Sequence, residues 1–202
     1  MLDVEAFILV GGRSSRMGKD KSGLRFGDRS GLALIAASLQ VVAHTISTVG
    51  GTVSAVEGLP NIADAHEKWG PLAGIEAALG NSNSENCLIV ACDLPFVTGK
   101  LFERLAGFAD RGDAIVPLQS DGRPQPLCAI YRRTPCLAVA RMAIANGEHS
   151  PRALLDQIET RYVSFTELSD LDGSEYFFFN VNTPENYERA QEIFSVGKIS
   201  HS

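Results

Sequence analysis

The chain has 202 residues and a mass of 21.7 kDa, with 18 basic against 24 acidic side chains and a net charge of −6. Its 45% apolar and 21% charged content excludes disordered and collagen-like classes, and one core can hold most of the apolar surface, so a single domain over residues 1–195 is expected. The acidic balance excludes a general nucleic-acid coat, which needs a basic excess, but leaves room for a small phosphorylated ligand met by a few local cations.

In chain order, the first apolar run is Ala6-Phe7-Ile8-Leu9-Val10, stopped by Gly11-Gly12. A short continuous run rich in β-branched and aromatic residues reads as a strand buried on both faces, as parallel strands are. Residues 31–44 carry Leu32, Ile35, Ala36, Leu39 and Val42 at helical spacing, and residues 45–49 read as the second strand. Glycines at 50, 51 and 58 break any period in the stretch that follows. Residues 71–79 are a helix, residues 87–92 a strand ending at Asp93 and Pro95, and residues 99–109 a helix. Strands at 114–117 and 126–131 precede a helix at 135–145. A last helix opens at Thr183-Pro184-Glu185, where Thr at the N-cap and Pro in the first turn are a start signal. Residues 196–202 are polar enough to fray. Strands alternating with helices predict an α/β fold with a doubly wound, mostly parallel sheet covered on both faces, in three layers.

No run of about 18 apolar residues occurs, so no membrane span is expected. Asp3 and Glu5 put the wrong charge before the first apolar run for a signal peptide. The four cysteines form no C-x-x-C pair and the four histidines no H-E-x-x-H, which argues against zinc. The expectation is a soluble, cytoplasmic protein with reduced, mostly buried thiols.

In an open α/β sheet ligands bind beyond the carboxyl ends of the strands, which directs attention to residues 11–21, Asp93 and residues 119–125. The first of these reads Gly11-Gly12-Arg13-Ser14-Ser15-Arg16-Met17-Gly18-Lys19-Asp20-Lys21, with four cations in nine residues from Arg13 to Lys21. Glycines admit close backbone approach, consecutive amides can wrap an anion, and local positive charge in an acidic protein points to a polyanion. It is neither a Walker A loop, since five residues separate Gly12 from Gly18 and Asp20 follows Lys19, nor a G-x-G-x-x-G fingerprint. Asp93, at a strand end, has two readings on spacing alone: a ligand for Mg²⁺ against triphosphate oxygens, or an N-cap for the next helix. Asp64 precedes the turn Gly70-Pro71-Leu72-Ala73-Gly74.

The segment from Leu9-Val10-Gly11-Gly12 through Arg16-Met17-Gly18 to Asp20-Lys21 resembles the signature of the molybdenum cofactor guanylyltransferases, within the Rossmann-like nucleotidyltransferases. The resemblance continues at Gly70-Pro71-Leu72-Ala73-Gly74, Cys92-Asp93-Leu94-Pro95, Asp121-Gly122-Arg123-Pro124-Gln125-Pro126-Leu127 and Asn180-Val181-Asn182-Thr183-Pro184-Glu185. It implies transfer of GMP from GTP to the phosphate of molybdenum-bound molybdopterin, with Mg²⁺ as cofactor and pyrophosphate as leaving group. By position it implies that Leu9, Val10 and Gly11 line guanine and ribose, and that Gly12 to Gly18 cradle the triphosphate. Arg16 and Lys21 counter its charge, Asp64 matches a guanine-nucleotide contact, Asp93 matches the metal ligand, and Asn180 and Asn182 lie toward the pterin. The acceptor phosphate is already an anionic nucleophile, so the lack of a histidine base fits positioning and charge stabilisation by Asp93-bound Mg²⁺, Lys21 and Arg16.

Two positions depart from the family. Val10 stands where Ala is usual, and Val49-Gly50-Gly51 occupies the place of a nucleotide-contacting Asn. Trp69 is read as packing beside the Gly70-Pro71 turn in preference to stacking on a base. Three rivals remain: a cytidylyltransferase on the same pterin, a sugar- or alcohol-phosphate nucleotidyltransferase, and a nucleotide or pterin carrier without turnover. Gly11 favours guanine, because the cytidine-using relatives read Ala-Gly at this pair, and Lys21 with Asp93 favours turnover. Proteins that load the cofactor or receive it are candidate partners that leave no motif in the chain.

Overall fold

A computed structural model of the chain describes residues 2–10, 24–51, 58–63 and 69–195. Its central sheet has seven strands in the order β5-β4-β1-β6-β8-β7-β9. These are β1 (Val4–Leu9), β4 (Thr45–Val49), β5 (Asn61–Ile62), β6 (Asn86–Ala91), β7 (Ala114–Pro117), β8 (Cys128–Arg132) and β9 (Thr160–Val163), while β2 (Arg25–Phe26) and β3 (Arg29–Ser30) form a separate hairpin. The helices are α1 (Gly31–Leu39), α2 (Pro71–Asn81), α3 (Gly99–Ala106), α4 (Arg133–Ala145), α5 (Pro151–Leu155) and α6 (Pro184–Ser195).

β1 pairs in parallel with β4 and β6, as expected of runs buried on both faces. Alternate residues of these strands feed opposite layers. Val4, Ala6, Ile8, Leu88 and Val90 meet Leu32, Ile35, Leu39, Leu101, Phe102 and Leu105 of α1 and α3. Phe7, Leu9, Cys87 and Ile89 meet Leu72, Ile75, Leu79, Cys136 and Ala140 of α2 and α4. The three-layer α/β expectation holds.

The direction of β8 corrects the simple alternation. It is antiparallel to both β6 and β7, and it starts at Cys128, not at Pro126. The cause is local: Gly122, with φ 81°, turns the chain, its amide donates to the Gln119 carbonyl (2.9 Å), and Leu118 bridges Pro124. Two helices are also shorter than their apolar spacing suggested. α1 stops at Leu39, where residues 40–43 turn so that the His44 amide can donate to Val4 (3.2 Å), and α3 stops at Ala106, before Gly107.

A third apolar cluster lies beyond the sheet. Leu24, Phe26 and Leu34 pack with Phe96, Val181, Ala190 and Ile193, so the β2–β3 hairpin, the turn after β6 and α6 share one small core. Phe26 meets Phe96 and Tyr187 edge-on, with ring centroids 6.0 and 5.7 Å apart, and the Tyr187 hydroxyl donates to the Arg25 carbonyl (2.7 Å). The expected frayed tail, residues 196–202, lies outside the described residues.

Candidate active site

The carboxyl ends of β1, β4, β6 and β7 share one edge of the sheet, and backbone hydrogen bonds fasten their trailing residues together. Val10 N–H donates to Val49 (2.9 Å), Gly50 N–H to Ile62 (2.9 Å), and Cys92 N–H to Leu9 (3.1 Å). On the far side of β6, Ala91 N–H donates to Leu127 (2.8 Å). Leu9 is 7% exposed and Val10 half-buried at the mouth of this edge. Leu9 has room because residue 74 is glycine: a Cβ there would stand 3.2 Å from Leu9 Cδ1.

Asp93 sits in the turn directly after β6, half-buried, with its Oδ1 atom buried. The helix-cap alternative falls, because α3 begins at Gly99 and is capped by Thr98, whose hydroxyl accepts from the Leu101 amide (3.4 Å). The Asp93 carbonyl accepts from the Val181 amide (2.9 Å), so the Asn180-Val181-Asn182 segment is stitched to the Asp93 turn. Asn180 is half-buried and its Nδ2 donates to the Phe178 carbonyl (3.1 Å), while Asn182 is exposed. Thr183 then caps α6, its hydroxyl accepting from Asn186 N–H (3.2 Å). The same hydroxyl holds the Glu185 carboxyl below the usual carboxylate range.

Gly70-Pro71-Leu72-Ala73-Gly74 opens α2 at this edge. Gly70 has φ 105°, and a Cβ there would crowd the His149 carbonyl at 3.1 Å. Gly70 has no side chain with which to cap α2, and the His149 carbonyl takes the Leu72 N–H (3.3 Å). Trp69 packs as expected: its ring centroid lies 4.5 Å from that of His149 and its Nε1 donates to Glu148 (3.1 Å). His149 Nδ1 returns a bond to the Trp69 carbonyl (2.6 Å).

The structure therefore brings together Leu9, Val10, Asp93, Asn180 and Asn182. Gly11, Gly12, Arg16, Gly18, Lys21 and Asp64 lie outside the described residues. Val181 lies inside the Asn180-to-Glu185 block but holds the edge through its backbone, whereas His149, which does the same for α2, belongs to no motif. The β7–β8 hairpin did leave a signal, the Asp121-Gly122 pair. There the Arg123 amide and guanidinium hold the Asp121 carboxyl below its ordinary range, with Arg123 Nε 2.6 Å from Asp121 Oδ2.

Among the described residues no three His, Cys, Asp or Glu side chains gather into a metal-holding group, and no helix is long and apolar enough to cross a membrane. A mostly parallel α/β sheet with Asp93 and flanking loops at its carboxyl edge is the architecture of the Rossmann-like nucleotide-binding enzymes. The family model for the MobA-like NTP transferase domain matches residues 6–162. The chain belongs to that family.

A probable molybdenum cofactor guanylyltransferase of Carboxydothermus hydrogenoformans is 34% identical over 203 residues, covering 97% of this chain and 99% of that protein. Another, of Pelotomaculum thermopropionicum, is 33% identical and covers 95% and 93%. The crystal structure of molybdopterin-guanine dinucleotide biosynthesis protein A from Archaeoglobus fulgidus superposes with a TM-score of 0.77 at 27% identity, covering 95% and 99%.

Proposed function

We infer that this chain is a molybdenum cofactor guanylyltransferase, moving GMP from GTP to the phosphate of molybdenum-bound molybdopterin in the cytoplasm. The observation that carries this reading is the junction at Asp93. Cys92 N–H binds Leu9 and Val181 N–H binds the Asp93 carbonyl, so residues that the resemblance assigns to donor and to acceptor both meet the turn that carries Asp93. The relatives' names supply the two substrates.

Asp93 offers hard oxygen donors, and Mg²⁺ is commonly held by one or two carboxylates together with substrate phosphates, so the donor set fits that ion. When bound, Mg²⁺ would neutralise charge on the triphosphate and the departing pyrophosphate. Leu9, Val10 and Gly11 would seat the nucleoside, with Asp64 at the base, and the glycines at 12 and 18 would let backbone amides reach the phosphates. Arg16 and Lys21 would counter charge that grows on the α-phosphate and its leaving group. Asn180 and Asn182 would orient the acceptor, whose phosphate oxygen attacks the α-phosphorus as the α–β bridging bond breaks. The nucleophile arrives ionised, so no side chain has to take a proton.

The test is pyrophosphate release with Mg²⁺ and either GTP or CTP, with and without molybdenum-loaded molybdopterin. Release with GTP only when the pterin is present is expected. Preference for CTP would keep the reaction and overturn the base, and release without pterin would overturn the acceptor.

A further inference from the structure

The β2–β3 hairpin makes a contact that the catalytic reading leaves unassigned. Each of its strands has two residues and its turn is Gly27-Asp28, too little to hold a shape alone. Its support comes from α6, at the other end of the sequence. The Tyr187 hydroxyl donates to the Arg25 carbonyl (2.7 Å) and accepts from Gln191 Nε2 (3.2 Å), so its direction is set from both sides. Buried Phe26 meets the Tyr187 ring edge-on at 5.7 Å and the Phe194 ring at 6.0 Å. Gly27 lets the turn lie against α6: its φ is 63°, and a Cβ there would stand 3.2 Å from Phe194 Cε1.

Arg25 comes four residues after Lys21, the cation that the proposed function sets against the triphosphate. Four extended residues reach at most about 14 Å, whereas the eleven from Val10 at the β1 edge reach about 40 Å. The anchor at Arg25 is the shorter tether by far, so it limits where the Lys21 ammonium can stand, and β1 does not.

The same anchor is referred to Asp93. Phe26 also meets the ring of Phe96 at 6.0 Å, three residues after Asp93, and Val181, six residues before Tyr187, donates its amide to the Asp93 carbonyl. The hairpin, α6 and the Asp93 turn thus stand on one small core. A charge held in place beforehand costs no reorganisation when charge grows on a phosphate, and a small misplacement forfeits that gain. Resting on the reading of Lys21 as a triphosphate contact, we propose that Tyr187 is a positioning residue: through its bond to Arg25 it sets the place of Lys21 against the phosphates of the bound nucleotide.

Tyr187→Phe keeps the ring against Phe26 and deletes the hydroxyl donor. The measurement is calorimetric titration of the full chain with Mg²⁺ and GTP, and separately with GMP, in the absence of any acceptor. The GTP Kd should rise about three- to tenfold, the range of one hydrogen bond, with the GMP Kd unchanged. In a Lys21→Ala background the same substitution should add less than about twofold, because the cation it positions is gone. A loss repeated in full in that background, an equal loss for GMP, or an unchanged GTP Kd overturns the proposal. Because no acceptor takes part, the result is separate from the parent reading. If the protein transfers no GMP to molybdopterin yet the Tyr187→Phe loss vanishes in the Lys21→Ala background, the guanylyltransferase reading fails and the positioning role stands. If transfer proceeds and the two losses simply multiply, the positioning role fails and the reading stands. Failure to bind GTP at all sinks both.

Discussion

At the scale of single residues, Asp93 combines two jobs that belong to different parts of the amino acid. Its carbonyl accepts from the Val181 amide and ties down the Asn180–Asn182 segment, while its carboxylate is the group that the proposed function gives to the metal. Asp93→Ala should therefore retain a cooperative urea transition while Mg²⁺-dependent turnover falls by about 10²-fold or more, the scale of losing a main charge-stabilising contact. Turnover equal to that of the parent would remove the carboxylate from the metal role. Gly74 shows the opposite economy, since its contribution is the space that lets Leu9 sit at the edge. A motif glycine of this kind is visible in sequence, but what it makes room for is not.

At the scale of elements, the caps separate fold from chemistry. Thr98 caps α3, seven places beyond the β6 end, and the Asp93 turn is closed separately by Leu94 N–H to Ala91 (3.3 Å). Thr98→Ala should cost about 1 kcal/mol in urea unfolding and leave the GTP KM where it was. A shifted KM would mean that α3 and the Asp93 turn are coupled. Which elements were legible in the sequence follows from burial. β1 and β6 are covered on both faces and read as continuous apolar runs, so they stood out, as did the Thr183-Pro184 start of α6. β5, only Asn61–Ile62, and the outer strand β9, with Thr160, Arg161 and Tyr162 at least partly exposed, carry no such run and were missed. The antiparallel sense of β8 was hidden for another reason: a buried strand shows the same pattern in either direction, and only the Asp121-Gly122 turn betrayed it. Residues 11–21, Asp93 and residues 119–125 stood out because each follows a strand end. Residues 174–179 did not, since the short 3-10 helix Ser174–Tyr176 and the turn after it carry no apolar period.

At the scale of the whole molecule, the two faces of the sheet share a chemical sensitivity. Cys87, Cys128 and Cys136 are buried free thiols, and Cys92 is partly exposed. Burial pushes Cys87 up to about 11 and Cys136 up to about 12, and raises Cys128 as well. The fold thus favours the neutral thiols, whereas an unfolded chain ionises them near the ordinary value of 9.0. Their contribution is intact below that value and is lost as pH climbs toward 11, so the urea midpoint should fall across this window. At pH 8 a thiol reagent should label Cys92 in the native protein and all four cysteines in urea; fast native labelling of a second thiol would contradict the packing. The third cluster has a different consequence, for the order in which the protein is made. Phe26 and Phe96 wait for partners at Val181, Tyr187, Ala190 and Ile193, which leave the ribosome long after the sheet's strands do. A nascent chain that holds β1 to β9 but stops short of Val181 lacks these partners of Phe26 and Phe96, and the amide that clasps Asp93. Such a chain is a natural client for chaperones. Without Val181 the Asp93 turn also lacks its tie to the Asn180–Asn182 segment, so this edge of the sheet is completed only when the C-terminal residues have been made.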